Sequence, residues 1–125
     1  MSRKVSPPCP SRVVVIEDDS AVRDALLMVL LGAGIEAAGF PSGDAFLEGP
    51  MPEDDDLVLL DIDLPGRSGV EVSSTMRARG CRTPIFVISG LRGNAFQKAV
   101  REIAPLAALR KPLDGEALLA ALARA

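Results

Sequence analysis

Unbroken apolar runs recur along the chain: Val13-Val14-Val15-Ile16, Leu57-Val58-Leu59-Leu60 and Ile85-Phe86-Val87-Ile88. Short, β-branched runs of this kind suit strands buried on both faces. Between them the period changes. Val22, Leu26, Val29 and Leu30 recur at helical spacing after Glu17-Asp18-Asp19-Ser20, and Gly32 and Gly34 stop that helix. Ile35 to Phe40 reads as a weaker, edge strand, and Ser42 to Leu47 as a short helix. Gly49 to Asp56 is a loop with Pro50, Pro52 and a run of acids from Glu53. Pro65, Gly66 and Gly69 mark a turn into a helix over 70–79, and a further helix covers 95–103. Leu106 to Arg110 is the last strand, closed by Lys111-Pro112. Asp114 is a good N-cap for the final helix, with Leu113 and Leu118 placed as a hydrophobic staple. That helix points Leu118, Leu119 and Leu122 at the core.

Strand and helix alternate through five β-α units, with no internal repeat and no low-complexity stretch. Such alternation predicts an α/β fold, a five-stranded parallel sheet with helices on both faces. Ligands of open sheets bind beyond the carboxyl ends of the strands.

The polar residues fall at those ends. Glu17 and Asp18 follow the first strand, Asp61 the third, Ser89 the fourth and Lys111 the fifth. Carboxylates gathered from separate strands repel unless a cation lies among them, and hard oxygen ligands without imidazole or thiolate favour Mg2+. A lysine and a hydroxyl nearby complete a cradle for an oxyanion. A carboxylate nucleophile can accept a phosphoryl group as an acyl phosphate, helped by in-line positioning and charge neutralisation.

Composition narrows the alternatives. The chain has 125 residues, one domain's worth, and is 48% hydrophobic with four Phe and no Trp or Tyr, so the core is aliphatic. A net charge of −3 argues against a nucleic-acid surface. The absence of His removes most hydrolase triads and most zinc sites. Cys9 and Cys81 have no metal spacing and read as free thiols of a reducing cytosol, a Cys9–Cys81 disulfide being the minority option. The longest apolar run, Ala25 to Ile35, is too short for a bilayer, which takes about 20 residues. Residues 1–11 lack a signal-peptide core and read as a disordered tail before a domain over 12–125. The acids from Glu53 to Asp56 read as a solvated loop, not a calcium site, and Arg77, Arg79 and Arg82 as surface charge.

The motifs together resemble a known family. Val13 to Arg23, Leu59 to Gly69, Thr83 to Gly90 and Lys111-Pro112 resemble the four motifs of response-regulator receiver domains of two-component systems. Separations of 43 residues from Asp18 to Asp61, 28 to Ser89 and 22 to Lys111 fit, and the resemblance spans about residues 12–124. It implies the flavodoxin-like strand order 2-1-3-4-5. It implies that Asp61 accepts a phosphoryl group from a phosphohistidine on a sensor histidine kinase or phosphotransfer protein. Asp18 and Asp61 would ligate Mg2+ directly, Glu17 through water, and Asp63 by its backbone carbonyl. Lys111 would pair with Asp61 and the phosphoryl group, Ser89 would swing inward to it, and the Lys111-Pro112 bond would be cis. The positions of Asp63 and Leu91 would tune phosphoryl lifetime. Such a protein is a cytoplasmic signalling phosphoacceptor rather than an enzyme. It would act on an output domain or downstream protein, with no nucleic-acid or membrane contact of its own. Phosphorylation-dependent dimerisation is left open.

Three departures from the pattern stand out. Glu17 replaces the usual aspartate, Ala108 stands where many receivers carry the aromatic that moves with the hydroxyl, and Ala104-Pro105 replaces a Gly-Ala step. Two other readings compete. Leu60-Asp61-Ile62-Asp63 resembles the nucleophile motif of haloacid-dehalogenase-type phosphatases, but there the nucleophile follows the first strand and an acidic pair comes last. A degenerate receiver acting only as a binding module is the third. Both a stand-alone receiver and a piece of a longer regulator fit the sequence.

Overall fold

Five parallel strands, in the order β2-β1-β3-β4-β5, form the single sheet of the computed structural model, which describes residues 10–124. The strands are β1 (Arg12–Ile16), β2 (Glu36–Phe40), β3 (Leu57–Asp61), β4 (Ile85–Ser89) and β5 (Ala107–Arg110). The helices α1 (Ser20–Gly32), α2 (Gly43–Leu47), α3 (Gly69–Ala78), α4 (Gly93–Ile103) and α5 (Gly115–Arg124) alternate with them. This is the flavodoxin-like α/β order expected from the sequence.

Burial follows from the residue pattern. Every residue of β3 and β4 is buried, as continuous apolar runs in central parallel strands require. On one face Val14, Ile16, Val58, Leu60, Ile85 and Val87 pack with Phe46, Val72, Met76, Ala99 and Ile103 from α2, α3 and α4. On the other, Val13, Val15, Leu57, Leu59, Phe86 and Ile88 pack with Leu26, Leu30, Leu118, Ala121 and Leu122 from α1 and α5. Leu113 and Leu119 flank this second cluster, and Asp114 caps α5 by accepting from the Glu116 amide at 3.0 Å. α1 begins one residue after its N-cap, Asp19, whose Oδ1 accepts from the Ala21 and Val22 amides.

Several sequence expectations shift. Ile35 is buried but precedes β2, and its amide donates to Leu30 O to close the end of α1. Gly34, at φ 81°, supplies the left-handed step there. Leu106 likewise precedes β5, and α4 starts earlier than expected, at Gly93. The loop before β3 is not wholly solvated. Asp56 is buried, accepts from the Glu53 amide at 2.8 Å and faces Arg12 at 3.7 Å. Arg77 and Arg79 are more than surface charge. Arg77 donates to Cys81 O and Thr83 O, and Arg79 to Leu47 O, tying α3 to the loops around it. Each of these arginines satisfies carbonyls that lie where regular structure stops. Cys81 is a buried free thiol beside Thr83, while Cys9 lies outside the described residues, as does most of the expected tail. Among the described residues no helix is long and apolar enough to cross a membrane.

Candidate functional site

The parallel ladder runs past the last apolar residue of each central strand and so fixes where the polar ones sit. The Glu17 amide donates to Phe40 O, Ile62 to Ile88 O and Lys111 to Ser89 O. Residues at or just past the ends of four different strands are thereby brought to one edge of the sheet, at its carboxyl end. Glycine helps at one point. A Cβ on Gly69 would lie 2.8 Å from both Asp61 O and Ile62 Cα, so only glycine lets α3 start this close to the β3 exit. Ser68 then caps α3 in a capping box with Glu71.

Carboxylate oxygens of Glu17, Asp18 and Asp61 all lie within 4.8 Å of one another. Glu17 and Asp61 are buried, and Asp18 is exposed. The Lys111 ammonium lies 3.0 Å from Asp61 Oδ2 and 3.0 Å from Glu17 Oε1. It donates a hydrogen bond to Asp61, whose other oxygen accepts from the Asp63 amide at 2.9 Å. Glu17 Oε2 accepts from the Asp19 amide, whereas its buried Oε1 has an ion-pair contact without hydrogen-bond alignment. Burial pushes the Glu17 carboxyl above its usual value, although the Asp19 amide and Lys111 pull it down. For Lys111, burial alone would lower the pKa. The hydrogen bond to Asp61, the close contact with Glu17 and the charges of both overcome this and raise it. The Lys111-Pro112 peptide bond is cis.

This donor set fits a hard divalent cation. It is all oxygen, and it includes a buried carboxylate atom with unused acceptor capacity. The glutamate at position 17 reaches the cluster despite its extra methylene.

Ser89 is buried on the fourth exit. Its Oγ accepts from the Leu91 amide at 2.8 Å and lies 3.5 Å from Asp63 Oδ2, to which it can donate. The same Asp63 oxygen accepts from the Gly90 amide at 3.2 Å. The Asp63 side chain therefore braces the turn after β4, a role its place in the sequence did not disclose. Arg110 was also missed. Its guanidinium stacks 4.6 Å from the Phe96 ring centroid and donates to Leu91 O at 3.0 Å. The available signal was its spacing: Arg110 shares a strand face with Ala108, the position lacking the aromatic. Ala108 itself is exposed on β5.

Fold and site together define a doubly wound α/β domain with a carboxylate and lysine centre at the carboxyl edge of its sheet. The family model of the response regulator receiver domain matches residues 13–123, and the chain belongs to that family. Receivers are signalling modules of two-component systems rather than conventional enzymes. The transcriptional regulatory protein FixJ of Azorhizobium caulinodans is 32% identical over 110 residues, covering 88% of this chain and 52% of FixJ. The cell cycle response regulator CtrA of Brucella ovis is 35% identical over 82 residues, covering 66% of this chain and 35% of CtrA. The chain thus spans about half or less of the length of these relatives. Among solved structures, Vibrio cholerae CheY4 superposes with a TM-score of 0.79 at 20% identity, covering 93% of this chain and 98% of that one. The BeF3-activated DrrB receiver domain also gives 0.79, at 23% identity, covering 92% and 96%. Both show likeness of fold. Family and strand order together replace the phosphatase alternative, since Asp61 ends β3, the third strand, and the acidic pair precedes it.

Proposed function

We propose that Asp61 accepts a phosphoryl group from a sensor-kinase phosphohistidine in a Mg2+-dependent reaction, and that the domain changes conformation in response. The observation that carries this reading is the gathering of Glu17, Asp18 and Asp61 around one point, with Lys111 on two of them. An Asp61 carboxylate oxygen forms the new bond to phosphorus as the bond to the histidine nitrogen breaks. Lys111 holds the nucleophile by its hydrogen bond and offers its charge to the incoming phosphoryl oxygens. Asp18 and Asp61 would hold Mg2+ directly, Glu17 through water and Asp63 by its carbonyl. The bound ion supplies charge neutralisation to the transferring group. Ser89 is the hydroxyl that turns to the phosphoryl group, and the positions of Asp63 and Leu91 set how long that group persists. The donor is a histidine kinase or phosphotransfer protein of the cytoplasm. An apolar cleft of about 480 Å³ beside Lys111, lined by Val22, Ala25, Leu26, Ile88, Pro112 and Leu113, offers it a surface. Output would pass to a further domain or a downstream protein, as the regulatory relatives suggest.

The test is incubation with acetyl phosphate and Mg2+ followed by intact mass. The expected result is one added phosphoryl group, absent in Asp61→Asn. A variant that still gains it sinks the site assignment. Failure of the wild-type chain to take up either acetyl phosphate's phosphoryl group or beryllofluoride favours a binding module instead.

A further inference from the structure

Ala108 leaves this receiver without a ring at the position that would follow the movement of Ser89, yet the sheet face beside Ser89 is not bare. Arg110 pairs with Ser89 in the β4–β5 register, so its Cα is the direct neighbour of the switching residue. Alternation along β5 puts the Arg110 side chain on the same face as Ala108, toward α4. Its guanidinium donates to Leu91 O at 3.0 Å. The amide of that same Leu91 donates to Ser89 Oγ at 2.8 Å. The guanidinium also lies 4.6 Å from the centroid of Phe96, a residue in the first half of α4 that packs against the core. Among the described residues, Arg110 has no carboxylate within ion-pair distance, so a carbonyl and an aromatic ring are what hold it.

The hydroxyl of Ser89, the peptide of Leu91, the Arg110 guanidinium and the Phe96 ring thus touch in series. If Ser89 Oγ turns toward a phosphoryl group, the Leu91 amide loses its acceptor and the 89–91 turn must shift. The carbonyl that Arg110 grips moves with it. A planar cation gripping a carbonyl while stacked on a ring can follow only by sliding on that ring or carrying it along. α4 is open to such displacement at its start, because its N-cap, Arg92, makes no side-chain capping bond.

We propose that Arg110, stacked on Phe96, couples the Ser89–Leu91 turn to helix α4 in place of the missing aromatic. Arg110 is a positioning residue for that turn and does not touch the phosphoryl group. The inference rests on the phosphoacceptor reading of Asp61, so the experiment separates the two.

Beryllofluoride with Mg2+ serves as the phosphoryl mimic. Uptake is followed by fluorine NMR and the response of α4 by backbone amide shifts over Gly93–Ile103. In the wild-type chain, uptake is expected to move both the Leu91 amide and the α4 amides. In Arg110→Ala, uptake is expected to stay within about threefold of wild type, while the α4 shift changes fall at least about fivefold. Phe96→Leu keeps an apolar side chain against the core and is expected to silence α4 while Leu91 still moves. Arg110→Lys, which can still donate to Leu91 O but lacks the planar stack, is expected to retain part of the response. Full α4 shifts in Arg110→Ala or in Phe96→Leu overturn the proposal. So does wild-type uptake that leaves α4 unmoved. Absence of uptake by the wild-type chain instead counts against the phosphoacceptor reading, and the coupling falls with it.

Discussion

At Asp63 one carboxylate braces the site and charges its rim. It accepts from Gly90 N and lies within reach of Ser89 Oγ, so it favours the conformation in which Ser89 Oγ accepts from the Leu91 amide. Its negative charge opposes an anionic donor. Asp63→Asn keeps an oxygen that can accept from Gly90 but removes the charge. Acetyl phosphate should then phosphorylate the variant about fivefold faster, the effect of about 1 kcal/mol of relieved repulsion. An unchanged rate at saturating Mg2+, followed by intact mass over time, would count against the charge argument. Lys111 carries a pH dependence. Burial lowers its pKa, but the hydrogen bond to Asp61 and the charges of Asp61 and Glu17 outweigh this and hold the folded value above the usual 10.5. A raised lysine contributes stability that is complete below the unfolded value and is lost as pH rises through the folded one. The chain has no Tyr, and its lysines are Lys4, Lys98 and Lys111, so few groups obscure the alkaline range. Urea unfolding from roughly pH 9 to 12 should show a shallower alkaline decline in Lys111→Met than in wild type. Equal declines would mean that the lysine and its two acids add nothing to stability. The residues of this site were legible because each follows an apolar run. The Asp63 brace and the Arg110 stack were not, because they join residues 27 and 19 positions apart to one turn.

At the scale of elements, the end of α4 answers one departure seen in the sequence. Ala104, in place of the small Gly step, adopts the left-handed conformation at φ 52° and ψ 58°, and its amide still donates to Val100 O. The helix end is therefore kept, with a Cβ in a region that disfavours it by about 1–2 kcal/mol. Ala104→Gly relieves this cost but loosens the unfolded chain. The balance should raise stability by about 0.5–1 kcal/mol, read as a higher urea midpoint with unchanged slope. A lower midpoint would show that the Ala methyl group packs usefully there. The existence and kind of every helix and strand followed from periodicity, and their ends moved by a few residues. Those shifts have local causes, such as the Ile35 amide closing α1 before β2 can begin.

For the whole molecule, two apolar clusters, one on each face of the sheet, form without any contribution from the acidic site. Folding should therefore survive removal of divalent metal. A cation that binds only the folded state adds stability, about 1.4 kcal/mol at ten times its dissociation constant, or about 5 °C in Tm. Mg2+ is expected to raise the Tm by this order, chelation to reverse it without unfolding the chain, and Asp18→Asn to lose most of it. An undiminished rise in Asp18→Asn, measured by thermal unfolding, would remove Asp18 from the ligand set.

The alternation of buried strands and amphipathic helices, and the polar residues waiting at the ends of four of the five strands, were properties of the sequence by itself. Parallel order and a common carboxyl edge follow from such a pattern because a right-handed crossover leaves few alternatives. Tertiary structure alone decided how those side chains divide their bonds: Lys111 between two buried acids, Asp63 across to the β4 turn, Arg110 onto Phe96 and Leu91. Such contacts depend on side-chain direction and on distances of a few ångströms between separate elements. Periodicity places a residue on a face and leaves its partner there undetermined.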